Sequence, residues 1–287
     1  MYGLKTVLAA TDGSKHGGNA VLTGAALALR AGARFEVLRS GNKPALPDIL
    51  DTMLDDAPEF QYESIERARK NGGAETCGVD VSCARVHVVS HPVAPPFIWR
   101  AGAPTSDLLV VGVHPRRVRD RLSVGSSAKR VIHRTQCPVM IVKRRQQDPF
   151  LRILAAVDLS QDTQSVLGAA AAVAQVDRGE LRVLHVAAPP RQIVREAAVI
   201  RVQAPRRPAH GRLEQLLGEA MLPSEVAVDS RVREGHAGHE ILREAKEWNA
   251  NLIVVGTNGL GFFNRALPYS TPLFVLRHSS RTTMVVP

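Results

Sequence analysis

The chain repeats itself, and this limits its fold more than any other feature. Leu4-Lys5-Thr6-Val7-Leu8-Ala9-Ala10-Thr11-Asp12-Gly13-Ser14 is answered by Phe150-Leu151-Arg152-Ile153-Leu154-Ala155-Ala156-Val157-Asp158-Leu159-Ser160. Each is a short apolar run that ends in Asp and a turn residue. Asp12 and Asp158 are 146 positions apart. Leu108-Leu109-Val110-Val111-Gly112 matches Leu252-Ile253-Val254-Val255-Gly256, and Val139-Met140-Ile141-Val142 matches Thr283-Met284-Val285-Val286, both at an offset of 144. A spacing held over whole halves describes tandem domains, not a solenoid of short units, and 287 residues suffice for two. The expected domains are 1–145 and 149–287. Between them, Lys143-Arg144-Arg145-Gln146-Gln147-Asp148-Pro149 is polar and ends in Pro, as a linker would.

Strand-like and helix-like segments alternate in each half. Strands are expected near 4–11, 34–40, 81–88, 107–112 and 138–143, with helices near 15–31, 48–70, 95–103 and 125–135. In the second half, strands fall near 151–157, 181–187, 226–233, 251–256 and 282–286, and helices near 161–176, 209–221, 237–248 and 270–279. The segment 187–208 is rich in Pro and Arg and reads as loop. The strands are apolar throughout, as when helices cover both faces of a sheet. Alternating βα units with right-handed crossovers give an α/β fold of two doubly wound parallel sheets. Ligands of such sheets bind at the carboxyl ends of the strands.

Composition removes several classes of function. Apolar residues at 45% and charged residues at 22% suit a globular protein. Cys77, Cys83 and Cys137 form no C-x-x-C and suit a reducing cytoplasm. The longest apolar stretch, 166–176, is about half of what a membrane helix needs, so no membrane is expected. Met1-Tyr2-Gly3-Leu4-Lys5 runs straight into a strand, without a signal-peptide pattern. Aromatics at 4% argue against a stacking surface for nucleic acid. The net charge of +10 is local: residues 114–145 hold ten basic residues and one acid, Asp120. Such a run is most simply a solvated face, but here it adjoins a candidate anion site.

That site is a spaced pattern. After the fourth strand of the first half come Gly112-Val113-His114-Pro115, nine residues, then Gly125-Ser126-Ser127 opening a helix. The second half has Gly256-Thr257-Asn258-Gly259, nine residues, then Tyr269-Ser270-Thr271. Glycine lets the backbone approach an anion, and free N–H groups at a helix start favour negative charge. A strand ending in Asp, G-x2-G-x9-G-[ST], and a closing strand after Cys137-Pro138 resemble the universal stress protein family over nearly all of both halves. The resemblance implies a five-stranded parallel sheet of order 3-2-1-4-5 in each half, with helices on both faces. Some members bind ATP; in those, the first-strand Asp meets the nucleoside and the glycine pattern holds ribose and phosphates. By position these roles fall on Asp12, Gly112, Gly125, Ser126 and Ser127, and on Asp158, Gly256, Gly259, Ser270 and Thr271. Family domains also pair through the fifth strand, so 138–143 and 282–286 are expected side by side, as an intramolecular pair or in a homodimer.

Each half departs from the pattern. Pro115 replaces the second glycine of the first half, while Tyr269 replaces the third glycine of the second and Pro272 removes a nearby N–H. Arg116 and Arg117, followed by Arg119 and Arg121, place guanidinium groups before the first-half helix, which favours that half for phosphate. The plainer readings are that Asp12 and Asp158 are turn residues and that Ser126 and Ser270 are N-caps. His87…His91 and His236…His239 lack a third ligand close in sequence, so no metal is expected. No G-x-S-x-G, H-E-x-x-H or Walker pattern occurs, so no enzyme is expected. The expected function is a cytoplasmic stress-response protein whose degenerate sites bind nucleotide, with ATP as the cofactor, mainly through the first half. The alternative is a scaffold that binds regulatory protein partners and no nucleotide.

Overall fold

The computed structural model describes residues 3–11, 14–40, 60–61, 76–81, 84–91, 107–113, 131–132, 135–160, 162–187, 192–195, 198–201, 206–257 and 270–287. It is an α/β fold whose contacts divide into two compact units. One holds Gly3–Pro149 with Ser280–Val285; the other holds Phe150–Ser279 with Val286.

In the first unit, β1 (Thr6–Thr11) lies between β2 (Arg34–Ser40) and β6 (Leu108–Gly112), parallel to both. β6 pairs in parallel with β7 (Val139–Val142), and β2 with β5 (Ala84–His91). Burial of every residue of β1 and β7 explains why these strands are apolar without alternation. Asp107 braces the sheet's start: its Oδ2 accepts from the backbone N–H groups of Lys5 and Thr6, both at 2.8 Å. Helix α1 (Lys15–Ala31) starts at Ser14, whose Oγ accepts from the Gly17 N–H, and stops at Gly32 with φ 60°. The linker-like segment is docked rather than free: the Gln146 N–H donates to Thr23 Oγ1 and Arg30 donates to the Gln147 carbonyl.

Two expectations for the first half are corrected. The strand expected at 81–88 is two antiparallel strands, β4 (Thr76–Val81) and β5, joined at 82–83. Of the helix expected at 48–70, Phe60–Gln61 form β3, which pairs with β4, and the rest lies outside the described residues. This unit therefore adds antiparallel strands beyond its parallel ones. Strand propensity from Val79, Val81, Val86, Val88 and Val89 accounts for the hairpin. The expected helix at 95–103 lies outside the described residues. Within the same unit β14 (Thr282–Val286) runs antiparallel to β7, with Thr283 opposite Ile141 and Met284 opposite Met140. The two expected fifth strands are thus neighbours.

In the second unit, β8 (Arg152–Val157) lies between β9 (Glu180–Ala187) and β13 (Leu252–Gly256), and β12 (Val228–Glu234) flanks β9, all in parallel. Asn251 repeats the role of Asp107, accepting from the Arg152 N–H. Helix α2 (Thr163–Asp177) is alanine-rich and buried over most of its surface. Its last residue, Asp177, accepts from the Phe150 N–H at 2.6 Å and ties helix end to strand start. The segment expected as loop contains a hairpin, β10 (Gln192–Arg195) and β11 (Ala198–Arg201), with Ile193 opposite Ile200 and Val194 opposite Val199. Four β-branched residues around a two-residue connection outweigh the flanking Pro and Arg. Helices α3 (Arg206–Glu219), α4 (Ala237–Glu247) and α5 (Thr271–His278) complete the unit.

Candidate functional site

β8, β9 and β13 end at one edge of the second unit, where an open α/β sheet receives ligands. A cavity of about 670 Å³ lies there. Ala156, Val157, Val166, Leu184, Ile241 and Val255 give it apolar walls, and Asp158, Ser160, Thr163, His185, His236 and Thr271 give it polar ones. That volume and mixture suit a small organic ligand with a few fixed polar groups.

The turn after β8 is held by its own side chains. The Ser160 N–H donates to Asp158 Oδ1 at 3.0 Å, and the Asp162 N–H donates to Ser160 Oγ at 3.3 Å. Leu159 between them has φ 62°, the left-handed region that Gly13 suits better in the first half. Asp158 is therefore a turn residue, as the plainer reading had it, yet its other carboxylate oxygen has no partner among the described residues and the residue lines the cavity. Helix α2 opens without a side-chain cap from Asp162. Thr163, its first residue, is 1% exposed, and its Oγ1 has no hydrogen-bond partner among the described residues.

The helix starts differ between the two halves. By the repeat's offset of 146, α1 begins where residue 161 would stand, but α2 begins at Thr163. In the first unit a Cβ on Gly112 would stand 1.8 Å from the His16 carbonyl oxygen, because the first turn of α1 covers it. Helix–strand packing by itself already requires glycine there. Gly256 is less crowded among the described residues: its Cβ would meet Val166 Cγ2, at 3.1 Å.

On the far side, His185 Nδ1 is 3.0 Å from the Val157 carbonyl. Gly235, with φ 148°, and His236 line the cavity before α4. The His236 and His239 rings surround Phe274 of α5, which stacks on His278 at 4.2 Å. Gly238 makes space for Phe274, since a Cβ there would lie 2.3 Å from its ring. At α5, Ser270 is the N-cap residue without a side-chain cap bond, its Oγ is buried without a partner among the described residues, and Thr271 and Pro272 line the cavity.

The structure thus brings Asp158, Gly256 and Thr271 to one cavity and sets Ser270 beside it. Gly112 stands in the other unit. Asp12, Arg116, Arg117, Gly125, Ser126, Ser127 and Gly259 lie outside the described residues. Thr163 and His185 are members of the site that sequence reasoning missed, and the sole signal was a polar residue beside an apolar run. Among the described residues no three His, Cys, Asp or Glu side chains converge as a metal ion would require. Burial pushes the Cys137 thiol up to about 11, as for a core thiol without nucleophilic work.

The family model described as the Universal stress protein family matches residues 3–143 and 149–287. The structure is similar to a universal stress protein from Archaeoglobus fulgidus DSM 4304, with 22% identity, TM-score 0.66, and coverage of 98% of this chain and 97% of that one. A functionally unknown protein from Pseudomonas aeruginosa PAO1 shares 17% identity at TM-score 0.66, covering 99% and 92%. A universal stress protein from Archaeoglobus fulgidus in complex with dAMP is 17% identical at TM-score 0.32, covering 48% of this chain and 99% of that one. No curated protein matches the chain.

Proposed function

The chain belongs to the universal stress protein family, and on that premise we propose that it binds a nucleotide in the cavity of its second half, without a covalent step, as a cytoplasmic module of a stress response. The observation that carries the reading is the convergence of Asp158, Gly256 and Thr271 on one cavity of about 670 Å³. Those are three of the positions to which the family's motif assigns nucleoside, ribose and phosphate. Thr163, whose hydroxyl is buried without a partner among the described residues, lines the same cavity. The first half's arginine-rich loop and Gly125-Ser126-Ser127 lie outside the described residues, so the proposal takes the half whose cavity is described.

Calorimetry of the full chain with ATP tests the assignment. Gly256→Val puts a branched side chain into the cavity against Val166 and is expected to remove the binding heat, while Gly125→Tyr leaves it unchanged. The reverse result would move the site to the first half. A wild-type chain that gives no heat with ATP would leave the scaffold reading.

A further inference from the structure

We propose that two copies of this chain pair edge to edge through β12, antiparallel, about a twofold axis at Ser230. The proposal is independent of the nucleotide reading. Among the described residues β12 is the last strand of its sheet and pairs with β9 alone. The Leu181 N–H donates to the Ala227 carbonyl, and the Gly235 N–H to the Ala187 carbonyl. Backbone groups of alternate residues face the same neighbouring strand, so Ala227, Asp229, Arg231, Arg233 and Gly235 face β9. Val228, Ser230 and Val232 therefore turn their N–H and C=O groups to the open side. The first unit shows how the chain covers such an edge. A shift of 144 carries Ala84–His91 of β5 onto Val228–Gly235, and β5 flanks β2 as β12 flanks β9. Antiparallel β4 lies along the outer edge of β5. The same shift carries β4 onto residues 220–225, which form no strand; the Val226 N–H instead turns back to the Pro223 carbonyl at 3.1 Å. The second unit thus keeps the edge without this cover, and an open edge is a template for another strand.

Charge and shape identify the strand that fits. Val228-Asp229-Ser230-Arg231-Val232 is complementary to itself when reversed. With the axis at Ser230, Val228 stands opposite Val232 of the second copy, Asp229 opposite its Arg231, and the two Ser230 residues face each other. The residues that exchange hydrogen bonds in this register are Val228, Ser230 and Val232, whose backbone groups are the open ones. Asp229 and Arg231 are both exposed and share the sheet face on which Arg233 meets Glu240, Glu244 and Glu247 of α4. Asp229 already accepts from Arg182 and lies 3.5 Å from Arg231 of its own strand, and a carboxylate has room for a further guanidinium. Val228, 39% exposed, gains apolar cover from the facing valine. An axis at Asp229 or at Arg231 would set like charges against each other. A foreign strand would need the same order of valines and charges; a second copy brings it, and twofold pairing closes the assembly at two chains.

The test is sedimentation of the full chain over a concentration series, with melting curves to confirm that each variant is folded. In the full chain β14 covers β7, so a dimer reports on another surface. The wild-type chain is expected to show a monomer–dimer equilibrium. Arg231→Glu sets an acid opposite each Asp229, twice per dimer, and weakens association about tenfold. Reversing the pair, Asp229→Arg with Arg231→Asp, restores it. Ser230→Cys places two thiols across the axis with Cα atoms about 5.5 Å apart, within disulfide reach. Diamide, which takes up the two electrons and two protons of the thiols, then links the two chains. Val232→Cys does not link, because its two copies stand about 13 Å apart along the strands, and the wild-type chain under diamide controls for the native cysteines. A wild-type chain that stays monomeric up to millimolar concentration overturns the proposal. So does a dimer that Arg231→Glu leaves unchanged, a folded reversed pair that stays as weak as Arg231→Glu, or a dimer that Ser230→Cys does not link.

Discussion

Thr163 ties stability to the proposed ligand site. Its Oγ1 is buried and meets no partner among the described residues, and the residue lines the same cavity as Asp158 and Thr271. Thr163→Val keeps the shape and removes the orphaned group. The ligand-free chain is therefore expected to gain about 1 kcal/mol, while nucleotide affinity falls roughly tenfold. Melting curves and calorimetry on the same variant check both, and a destabilised variant with unchanged affinity contradicts the assignment. Lys143 gives a pH-dependent counterpart. Burial pulls its pKa from 10.5 down to about 8. Between those values the unfolded chain keeps the proton and the folded chain has released it, so this lysine makes stability rise with pH across that window and costs stability below it. Cys137, pushed up to about 11, acts in the opposite direction, so the comparison with Lys143→Met isolates the lysine. The variant is expected to be more stable at pH 7, on the order of 1–3 kcal/mol, and to lose the rise in urea denaturation above pH 8. Neither effect was legible in the sequence. Asp158 and Gly256 could be read because a repeat displays them twice; Thr163 and His185 matter through tertiary neighbours that no local pattern records.

Elements were legible where one rule dominated. β1, β8 and α1 follow from apolar runs, a serine cap and a terminal glycine, and each formed close to its expected bounds. The β10–β11 hairpin was hidden because Pro and Arg around it favour loop, while its own Ile and Val favour strand. The packing of α4 on β12 was also hidden, since it depends on charge. Glu244, 4% exposed, binds Arg182 at 2.9 Å and also Arg233, whose guanidinium further meets Glu240 and Glu247. Arg182 in turn lies 4.4 Å over the Trp248 ring. Burial works against the Arg233 charge, but the hydrogen bonds to Glu247 and Glu244 win and raise its pKa. Glu244→Gln removes the one charge shared by two partly buried guanidiniums and is expected to cost about 3–5 kcal/mol. Glu247→Gln, on an exposed partner, should cost much less and respond to salt. Urea denaturation at low and high ionic strength separates the two; equal costs would show that Glu244 is no more than a surface pair.

At the scale of the whole molecule, the repeat was the most legible feature, and the distribution of strands between units was the least. An edge strand leaves a row of open N–H and C=O groups, and the resemblance to a family whose domains pair through the fifth strand led to the expectation that 138–143 and 282–286 meet. It did not show that Ser280–Val285 would group with Gly3–Pro149. There Met284 stands opposite Met140, and Thr283, Met284 and Val285 are each no more than 1% exposed. β14 is therefore part of the first unit's core as well as the cover of its edge. A chain ending at Ser279 would leave β7 with an unpaired, wholly apolar edge of Val139, Met140, Ile141 and Val142. Such an edge pairs with whatever strand is available, and another copy of the truncated chain offers the same one. The expected result is a concentration-dependent dimer or larger species by light scattering, with the melting of the first unit shifted down. Two full-length variants locate the cause: Met284→Asp buries a charge in the pairing and should reproduce the shift, while Arg281→Asp, just outside the strand, should not. A truncated chain that stays monomeric with unchanged melting would mean that β7 needs no partner strand.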